Sequence, residues 1–351
     1  MVNLINKLNT IIIIILSISI ISACKNMKSI SDTKTKDYTK VKPIKMTPFF
    51  LGKPANEYLS FEPVTDEKIE RMFKDMNKDG ITMVLLAGGS GETICFPSKT
   101  LKNPSKIDWY AKAFDLAEKY DMDVMLPGVS YEYNNLFIGK EWDPNIDLEV
   151  NKKLFKELNE RYGSRSNFWG WYIPHEAGDR THRGDIMILL RELPRFLKKL
   201  TPNKKVTFAP WFTSRITLGE DATTPAQCAS NWDSMLNEID GLDICAFQDT
   251  TAPNDEIGEW FSAVAPVFKK HGIELWSVVE LFPHFQDKPG IELFRSISFP
   301  FLMEKMKAAA PYVSNYACWE YETHLNPESK FPGAKELNRK YRKWLKKKNS
   351  K

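Results

Sequence analysis

Proton-transfer groups follow a short apolar segment in the stretch "FWGWYIPHEAGD", residues 168–179. Residues 169–173 have the aromatic and β-branched character of a buried strand, and Pro174 ends it. His175 and Glu176 come directly afterwards. A carboxyl group at this position is either an ordinary strand-end cap or one edge of an active site.

Polar residues also follow three later apolar runs. The run "LDICAF" is followed by Gln248 and Asp249, and "IELWSVVELF" contains Glu280 near its end. The run "YACWEYETH" contains Trp319 and Glu320. Aromatic side chains accompany these groups at the ends of other runs, namely Phe50, Tyr131, Tyr133, Trp211, Phe212 and Phe282.

Carboxyl groups beside aromatic rings suit carbohydrate chemistry. The C–H faces of a sugar pack on aromatic rings, while two carboxyl groups flanking a glycosidic oxygen act as general acid and as nucleophile or base. Carboxyl groups about 5–5.5 Å apart imply retention of configuration, and about 6.5–9.5 Å implies inversion. The predicted function is therefore hydrolysis of a glycosidic bond, without a cofactor.

The elements that must position these groups are eight apolar runs that alternate with helical patterns. Each run is rich in β-branched or aromatic residues, as a strand covered on both faces requires. Strict alternation of strand and helix predicts parallel strands joined by right-handed crossovers. The runs are residues 44–51, 81–87, 123–129, 168–173, 205–212, 242–247, 273–282 and 312–319.

Eight strand–helix units predict a single (β/α)8 TIM barrel rather than an open sheet. An open sheet usually carries a glycine-rich phosphate loop after its first strand, whereas only Gly52-Lys53-Pro54 follows here. The cluster "AGGSGE", residues 87–92, is interpreted as a rim loop. Active sites of such barrels lie at the C-terminal ends of the strands, where Glu176 and Glu280 would face one another.

The fourth and seventh runs carry a family resemblance. A Glu after strand four, a Glu ending strand seven and a Trp ending strand eight resemble the layout of the clan A retaining glycoside hydrolases. The stretch "WGWYIPHE" is similar to the "WGWY.P.E" signature of a group of exported bacterial lipoproteins, which is classed as a domain of unknown function. That similarity extends over the whole predicted barrel.

The resemblance implies roles for individual residues. Glu176 would be the general acid/base, Glu280 the nucleophile or base, and Trp319 a sugar contact, with further sugar contacts from His175, Gln248, Asp249, Glu320, Tyr131 and Trp211. His175 departs from clan A, where an Asn normally precedes the acid/base and binds the sugar 2-hydroxyl. An imidazole can make that bond, but its protonation would add a pH dependence.

The partner of Glu176 is left open by strand parity. If Ser277 and Val279 face the barrel interior, Glu280 points outward unless the strand has ended or bulged. The opposite parity turns Glu280 inward together with Trp276 and Glu274. Asp249, Glu320 and Glu322 are the substitutes for Glu280.

Two other function classes are weighed against hydrolysis by paired carboxylates. A barrel that binds a glycan without cleaving it would keep the aromatic residues and lack a second carboxyl group opposite Glu176. A metal site could use His175, Glu176, Asp179 and His182, but their spacing is not HExxH, so no metal is predicted. The absence of a GxSxG turn disfavours a serine hydrolase.

The N-terminal region predicts export. Lys7 precedes the apolar run 11–21, and "ISAC" ends at Cys24, which resembles a bacterial lipoprotein signal with a lipobox. The expected organisation is a signal peptide over 1–24, lipidated at Cys24, a flexible tether over 25–42 and the barrel over 43–351 with a basic C-terminal helix. The protein would then be anchored to a bacterial membrane, on the periplasmic face or at the cell surface.

Charge and cysteine content limit the expected binding partners and the expected disulfide state. The net charge of +4 is concentrated in the tether and in "KYRKWLKKKNSK", which is interpreted as a solvated helix rather than an anionic-surface contact. Nothing in the sequence indicates nucleic-acid binding. The expected state of Cys95, Cys228, Cys245 and Cys318 is buried free thiols, because none lies in a CxxC pair; the alternative, open to an exported protein, is a disulfide between two of them.

Overall fold

A computed structural model shows a closed barrel of eight parallel strands, as the sequence predicts. It describes residues 38–50, 65–87, 91–180, 183–283 and 295–350. The order of the strands around the barrel is their order in the sequence. They are β1 (Ile44–Phe50), β2 (Met83–Ala87), β3 (Asp123–Pro127), β4 (Phe168–Ile173), β5 (Lys205–Phe208), β6 (Ile244–Gln248), β7 (Glu274–Glu280) and β8 (Asn315–Trp319). β8 pairs with β1 to close the ring.

A long helix follows each strand. These are α1 (Asp66–Lys78), α2 (Trp109–Lys119), α3 (Pro144–Tyr162), α4 (Arg183–Leu200), α5 (Pro225–Leu236), α6 (Ile257–Lys270), α7 (Phe299–Ala309) and α8 (Ala334–Asn349). Thr65 is the N-cap of α1, since its hydroxyl oxygen accepts the amide of Lys68 at 3.3 Å. Caps of this kind satisfy one of the unpaired amides at a helix start.

Side chains of the strands alternate between two hydrophobic layers. One layer lies between strands and helices, and the other fills the barrel interior. On β7, Leu275 and Val279 belong to the outer layer, while Trp276 and Val278 belong to the inner one. This alternation turns Glu280 inward. The parity with Ser277 and Val279 inside is therefore wrong.

β4 contains an irregularity that matters for the site. Val124 pairs with Phe168 and Met125 with Gly170, so the register shifts by one residue across Trp169. Trp169 and Tyr172 both pack against the inner layer although three residues separate them. A Cβ on Gly170 would lie 2.4 Å from the carbonyl oxygen of Lys205, so only glycine permits this approach of β5.

The C-terminal helix α8 fastens the ends of the chain together. The hydroxyl oxygen of Tyr341 accepts a hydrogen bond from the backbone amide of Ile44 at 2.8 Å. The carboxylate of Asp79, at the end of α1, accepts hydrogen bonds from Asn338 and Arg342. The first and last barrel units are thus joined by buried polar contacts in addition to the β1–β8 pairing.

The predicted tether differs from the structure at its end. Val41 is buried and Tyr38 packs against the core, because these apolar residues lie between β1 and the end of α8, where Lys348 donates to the carbonyl of Thr39 at 3.0 Å. Residues 1–37, which include Cys24 and most of the tether, lie outside the described residues. Among the helices described, none is both long and apolar enough to cross a membrane.

Candidate active site

The C-terminal ends of the strands form a mouth lined by four inward-facing side chains. They are Tyr172 of β4, Gln248 of β6, Glu280 of β7 and Trp319 of β8. Each continues the alternation that places Ala246, Val278 and Ala317 in the barrel interior. A TIM barrel presents its reactive groups at this end of its strands.

Glu176 enters the mouth from the loop after β4. Its backbone carbonyl accepts a hydrogen bond from the hydroxyl of Tyr133. Burial raises the pKa of the Glu176 carboxyl group, and a hydrogen bond from the side chain of Gln248 opposes that rise. The charge of Glu176 also contributes to raising the pKa of the Tyr172 phenol, after burial. Glu176 therefore lies among Tyr172, Gln248 and Tyr133.

Glu280 lies at the same mouth and is only 8 % exposed. Burial raises its pKa to about 8, and the negative charges of Asp249 and Glu176 add to this rise. The influence of Glu176 places the two carboxyl groups within electrostatic reach of each other. Two such groups in a poorly hydrated cleft cannot both ionise easily, so the pair retains one proton near neutral pH.

A buried ion pair between Asp249 and Lys305 holds the backbone of Glu280 in place. The Nζ atom of Lys305, on α7, lies 2.8 Å from Oδ1 of Asp249 and also donates to the backbone carbonyl of Glu280 at 2.8 Å. Oδ1 of Asp249 accepts the backbone amide of Glu280 at 3.1 Å. Burial raises the pKa of Asp249, and the Lys305 ammonium opposes that shift.

This arrangement differs from the predicted sugar contact by Asp249. The side chain is 1 % exposed, and its Oδ1 is occupied by Lys305 and by the backbone of Glu280. The same burial removes Asp249 as a carboxylate facing Glu176 across the mouth. Asp249 instead fixes the backbone of Glu280, because it binds the amide while its partner Lys305 binds the carbonyl.

His175 also differs from its predicted role. Its ring is fully buried, and Nε2 lies 2.8 Å from Oδ1 of Asp147. The rings of Tyr133 and Trp142 enclose it, with centroids 5.5 and 6.2 Å away. The imidazole is therefore bound to Asp147 in the protein interior, and the position that holds Asn in clan A serves here to anchor the loop that carries Glu176.

Asp147, near the start of α3, connects that loop to the loop after β3. Its carboxylate accepts the backbone amides of Tyr131 and Glu132 at 2.7 and 2.9 Å and the indole Nε1 of Trp142 at 2.9 Å, in addition to His175. Burial raises the pKa of Asp147, but the hydrogen bond and charge of His175 and the other donors outweigh it and leave the pKa below its usual value.

The end of β8 contributes a further acidic residue, Glu320. The Trp319–Glu320 peptide bond is cis. The Glu320 carboxylate accepts the amide of Thr323 at 3.2 Å and so caps the short helix Tyr321–His324. Burial raises the pKa of Glu320 to about 7 and that of Glu322 to about 8. Glu320 is thus engaged in a cap rather than turned fully to a ligand.

The two predicted aromatic platforms are partly exposed at the rim. Trp211 forms an isolated parallel bridge with Gln248, and its indole lies against Gly178, where a Cβ would come within 2.4 Å of Nε1. The hydroxyl of Tyr131 lies 3.3 Å from Oε1 of Glu92. Both residues flank the mouth, and their contact with a sugar stays a prediction.

The remaining chemistry-bearing residues do not form a metal centre in the part of the chain that is described. No group of three or more His, Cys, Asp or Glu side chains there could hold a metal ion, and His182 falls outside the described residues. Asp179 is buried and accepts hydrogen bonds from Thr213 and from Asn231, the latter at 2.6 Å. The four described cysteines are buried and form no disulfide.

Three residues of the site were not predicted from the sequence: Lys305, Asp147 and Tyr172. A signal for Lys305 exists, since it falls on the same helical face as the buried Leu302, Met306 and Ala309. A lysine in such a stripe requires a buried partner. Asp147 has no comparable signal, because its partners are backbone amides and a histidine distant in sequence.

The barrel is of the class found in glycoside hydrolases, as solved structures show. A proposed alpha-L-fucosidase from Bacteroides thetaiotaomicron VPI-5482 is similar with a TM-score of 0.79 and 22% identity, over 90% of this chain and 99% of that one. An intracellular xylanase from Thermoanaerobacterium saccharolyticum JW/SL-YS485 has a TM-score of 0.50 and 12% identity, over 81% and 88%. A protein described only as a glycoside hydrolase has 0.51 and 11%, over 86% and 99%.

The chain belongs to the family described as Domain of unknown function (DUF4434), which matches residues 53–331. No protein of curated function matches it. The family and the fold agree with the resemblance carried by "WGWYIPHE" and by the residues at the ends of β4, β7 and β8.

Proposed function

We propose that this protein is a glycoside hydrolase that uses Glu176 and Glu280 as its catalytic pair. The observation that carries the proposal is their electrostatic coupling in the mouth of the barrel, where the charge of Glu176 helps to raise the pKa of Glu280. Glycosidic cleavage requires two carboxyl groups that share one proton across a narrow space. A glycan-binding barrel needs no such pair.

Glu176 is assigned as the general acid/base and Glu280 as the nucleophile or base. Burial favours the shared proton on Glu280 in the free site, where its pKa is about 8, whereas the reactive form carries that proton on Glu176, at the glycosidic oxygen, and has Glu280 ionised. The Asp249–Lys305 pair holds Glu280 by both its amide and its carbonyl, which fixes the carboxylate relative to the sugar. Trp319, Trp211 and Tyr131 would supply the aromatic surface for the sugar.

The test is a panel of aryl glycosides with wild type, Glu176→Gln and Glu280→Gln. We expect each substitution to lower kcat at least about a hundredfold, as is usual for loss of a general acid or base. Glu141→Gln, an exposed carboxyl group on the rim after β3, is the matched control and should retain full activity. Full activity of Glu176→Gln would overturn the mechanism.

Azide distinguishes the role of Glu280. In Glu280→Ala, azide can occupy the space of the missing carboxylate and attack the anomeric carbon. Formation of a glycosyl azide would identify Glu280 as a nucleophile and the enzyme as retaining. Loss of activity without an azide product would identify Glu280 as the base of an inverting reaction.

We further propose that the chain is exported and lipid-anchored through Cys24. The support is the order of Lys7, the apolar run 11–21 and "ISAC". Expression with a radiolabelled fatty acid should label the wild type, while Cys24→Ala should carry no label. Cys95→Ala is the matched cysteine control and should be labelled like the wild type.

A further inference from the structure

Basic residues accumulate at one face of the barrel, at the N-terminal ends of the strands. Because each strand is followed by a helix that runs back antiparallel to it, all the long helices end at this face. Seven of the eight long helices described have Lys or Arg in the last turn, α5 being the exception. We call this surface the basal face; it is opposite the mouth.

Several contacts fix the composition of the basal face. Lys348, near the end of α8, reaches the carbonyl of Thr39 before β1, and Lys42 donates to the carbonyl of Ser314 before β8 at 2.7 Å. Lys198, near the end of α4, pairs with Asp243 just before β6 at 2.6 Å. Helix ends and strand beginnings therefore share one surface.

Part of this positive charge is paired and part is not. Pairing with carboxylates accounts for several lysines, and basic last turns also complement the helix dipole. Lys343, Lys346 and Lys347 of α8 are exposed, and none forms an ion pair with a described residue. They adjoin the point at which the described chain begins, through the Lys348–Thr39 contact.

The position of Cys24 points to a lipid surface as the binding partner of the basal face. Thirteen residues separate Cys24 from Tyr38, so the two positions are at most about 50 Å apart along a fully extended chain. An acyl chain on Cys24 would hold the basal face close to the bilayer. Basic residues near an anionic lipid surface are attracted to it within about a Debye length of 8–10 Å.

We propose that the basal face docks on anionic phospholipid headgroups through Lys343, Lys346 and Lys347, so that the mouth of the barrel points away from the membrane. The proposal rests on the proposed lipid anchor, goes beyond the glycosidase activity and departs from the interpretation of the C-terminal tail as a solvated helix. The docking orients the catalytic pair toward soluble or cell-wall glycans and away from the headgroups. Attraction at this surface weakens with salt, because it depends on exposed charges.

The test uses residues 25–351, which contain all eight strands and all eight helices, and vesicles of phosphatidylglycerol with phosphatidylcholine or of phosphatidylcholine alone. We expect sedimentation with the anionic vesicles only, reversed by added NaCl. The variant Lys343→Gln/Lys346→Gln/Lys347→Gln should bind about a hundredfold more weakly, at about fivefold per lysine. Its glycosidase activity should not change.

A matched triple variant controls for net charge. Lys99, Lys106 and Lys140 are exposed lysines on the loops after β2 and β3, outside the last turns of the helices. Their replacement by Gln should leave vesicle binding unchanged. Equal loss in the two triple variants, or equal binding to both vesicle types, would overturn the proposal. Because these vesicles require no acylation, the outcome is separate from that of the Cys24 experiment.

An experiment with the acylated full-length chain tests the orientation of the barrel on the membrane. Acetylation of lysines in anionic vesicles, read by mass spectrometry, should spare Lys346 and Lys347 relative to phosphatidylcholine vesicles, while Lys99 and Lys106 react equally in both. Protection of Lys99 and Lys106 instead would show a different orientation and refute the docking surface.

Discussion

Lys305 and Asp249 form an ion pair 2.8 Å long in which each side chain is only 1 % exposed. Their other bonds go to the backbone of Glu280, so the pair connects α7 and the end of β6 to the proposed nucleophile or base. A buried pair contributes little net stability but is costly to break on one side. This asymmetry gives the pair a measurable signature.

Lys305→Met should lower the free energy of unfolding by about 3–5 kcal/mol, because it leaves the Asp249 carboxylate buried without its cation. Lys305→Met/Asp249→Asn should recover part of that loss, since the amide oxygen still accepts the Glu280 amide. Urea unfolding of the two single variants and the double variant gives the coupling energy. Additive losses would show that the two side chains do not depend on each other.

Asp249→Asn should move the basic limb of the kcat/KM profile to lower pH. Asp249 helps to raise the pKa of Glu280 to about 8 and Lys305 lowers it, so removal of the Asp249 carboxylate leaves the lowering effect of Lys305 without its neighbouring counter-charge. The singly protonated pair then loses its proton at a lower pH, and activity falls earlier as pH rises. Asp255→Asn, at an exposed position on the same loop, is the control. A limb displaced to higher pH would refute this electrostatic link.

Asp147→Asn should lower the free energy of unfolding by about 2 kcal/mol at pH 7, since Asp147 accepts several buried hydrogen bonds as a carboxylate. The folded-state pKa lies below the unfolded value, so this stabilisation is present above about pH 4 and disappears as pH falls through the folded-state pKa. Urea unfolding at pH 7 and pH 3 should show the gap to wild type narrowing. Asp143→Asn, an exposed helix cap at the same loop, should stay close to wild type at both pH values.

His324→Gln should remove a pH dependence of stability between about pH 6.5 and 4. Burial lowers the pKa of His324 to about 4, while the unfolded chain titrates near 6.5. The unfolded state binds the extra proton in this window, so wild-type stability falls by about 3 kcal/mol as pH drops through it. Unfolding free energies at pH 7, 5.5 and 4 measure the slope. A slope unchanged in the variant would assign it to another group.

The fold was predictable because the pattern that specifies each strand–helix unit lies within a short stretch of sequence. Alternation of apolar runs and helical patterns requires no long-range information, and it gave all eight strands, although several are shorter than their runs, such as β5, which ends at Phe208 rather than at residue 212. The parity of β7 was not decidable from the sequence, because Ser277 and Val279 on one face and Trp276 and Val278 on the other are both apolar enough to be buried. In the structure, Trp276 and Val278 face the interior of the closed barrel.

The site was predictable only in part, for the same physical reason. Glu176 and Glu280 could be found because they end strands, whereas the roles of His175 and Asp249 depend on partners elsewhere in the chain. Asp147 lies 28 residues before His175, and Lys305 lies 25 residues after Glu280. Contacts at such separations are set by how the helices pack on the barrel, which residue type alone does not encode.

The register shift in β4 has a consequence for how this strand can vary. Because Trp169 and Tyr172 both face inward across the extra residue, the two ends of the strand are out of phase with each other. The basal half can pack by one alternation while the half leading to Glu176 follows the opposite one. Deleting Gly170 would leave Trp169, Trp171 and Tyr172 in the alternation of a regular strand, so β4 should tolerate the loss of one residue at this point better than elsewhere along its length.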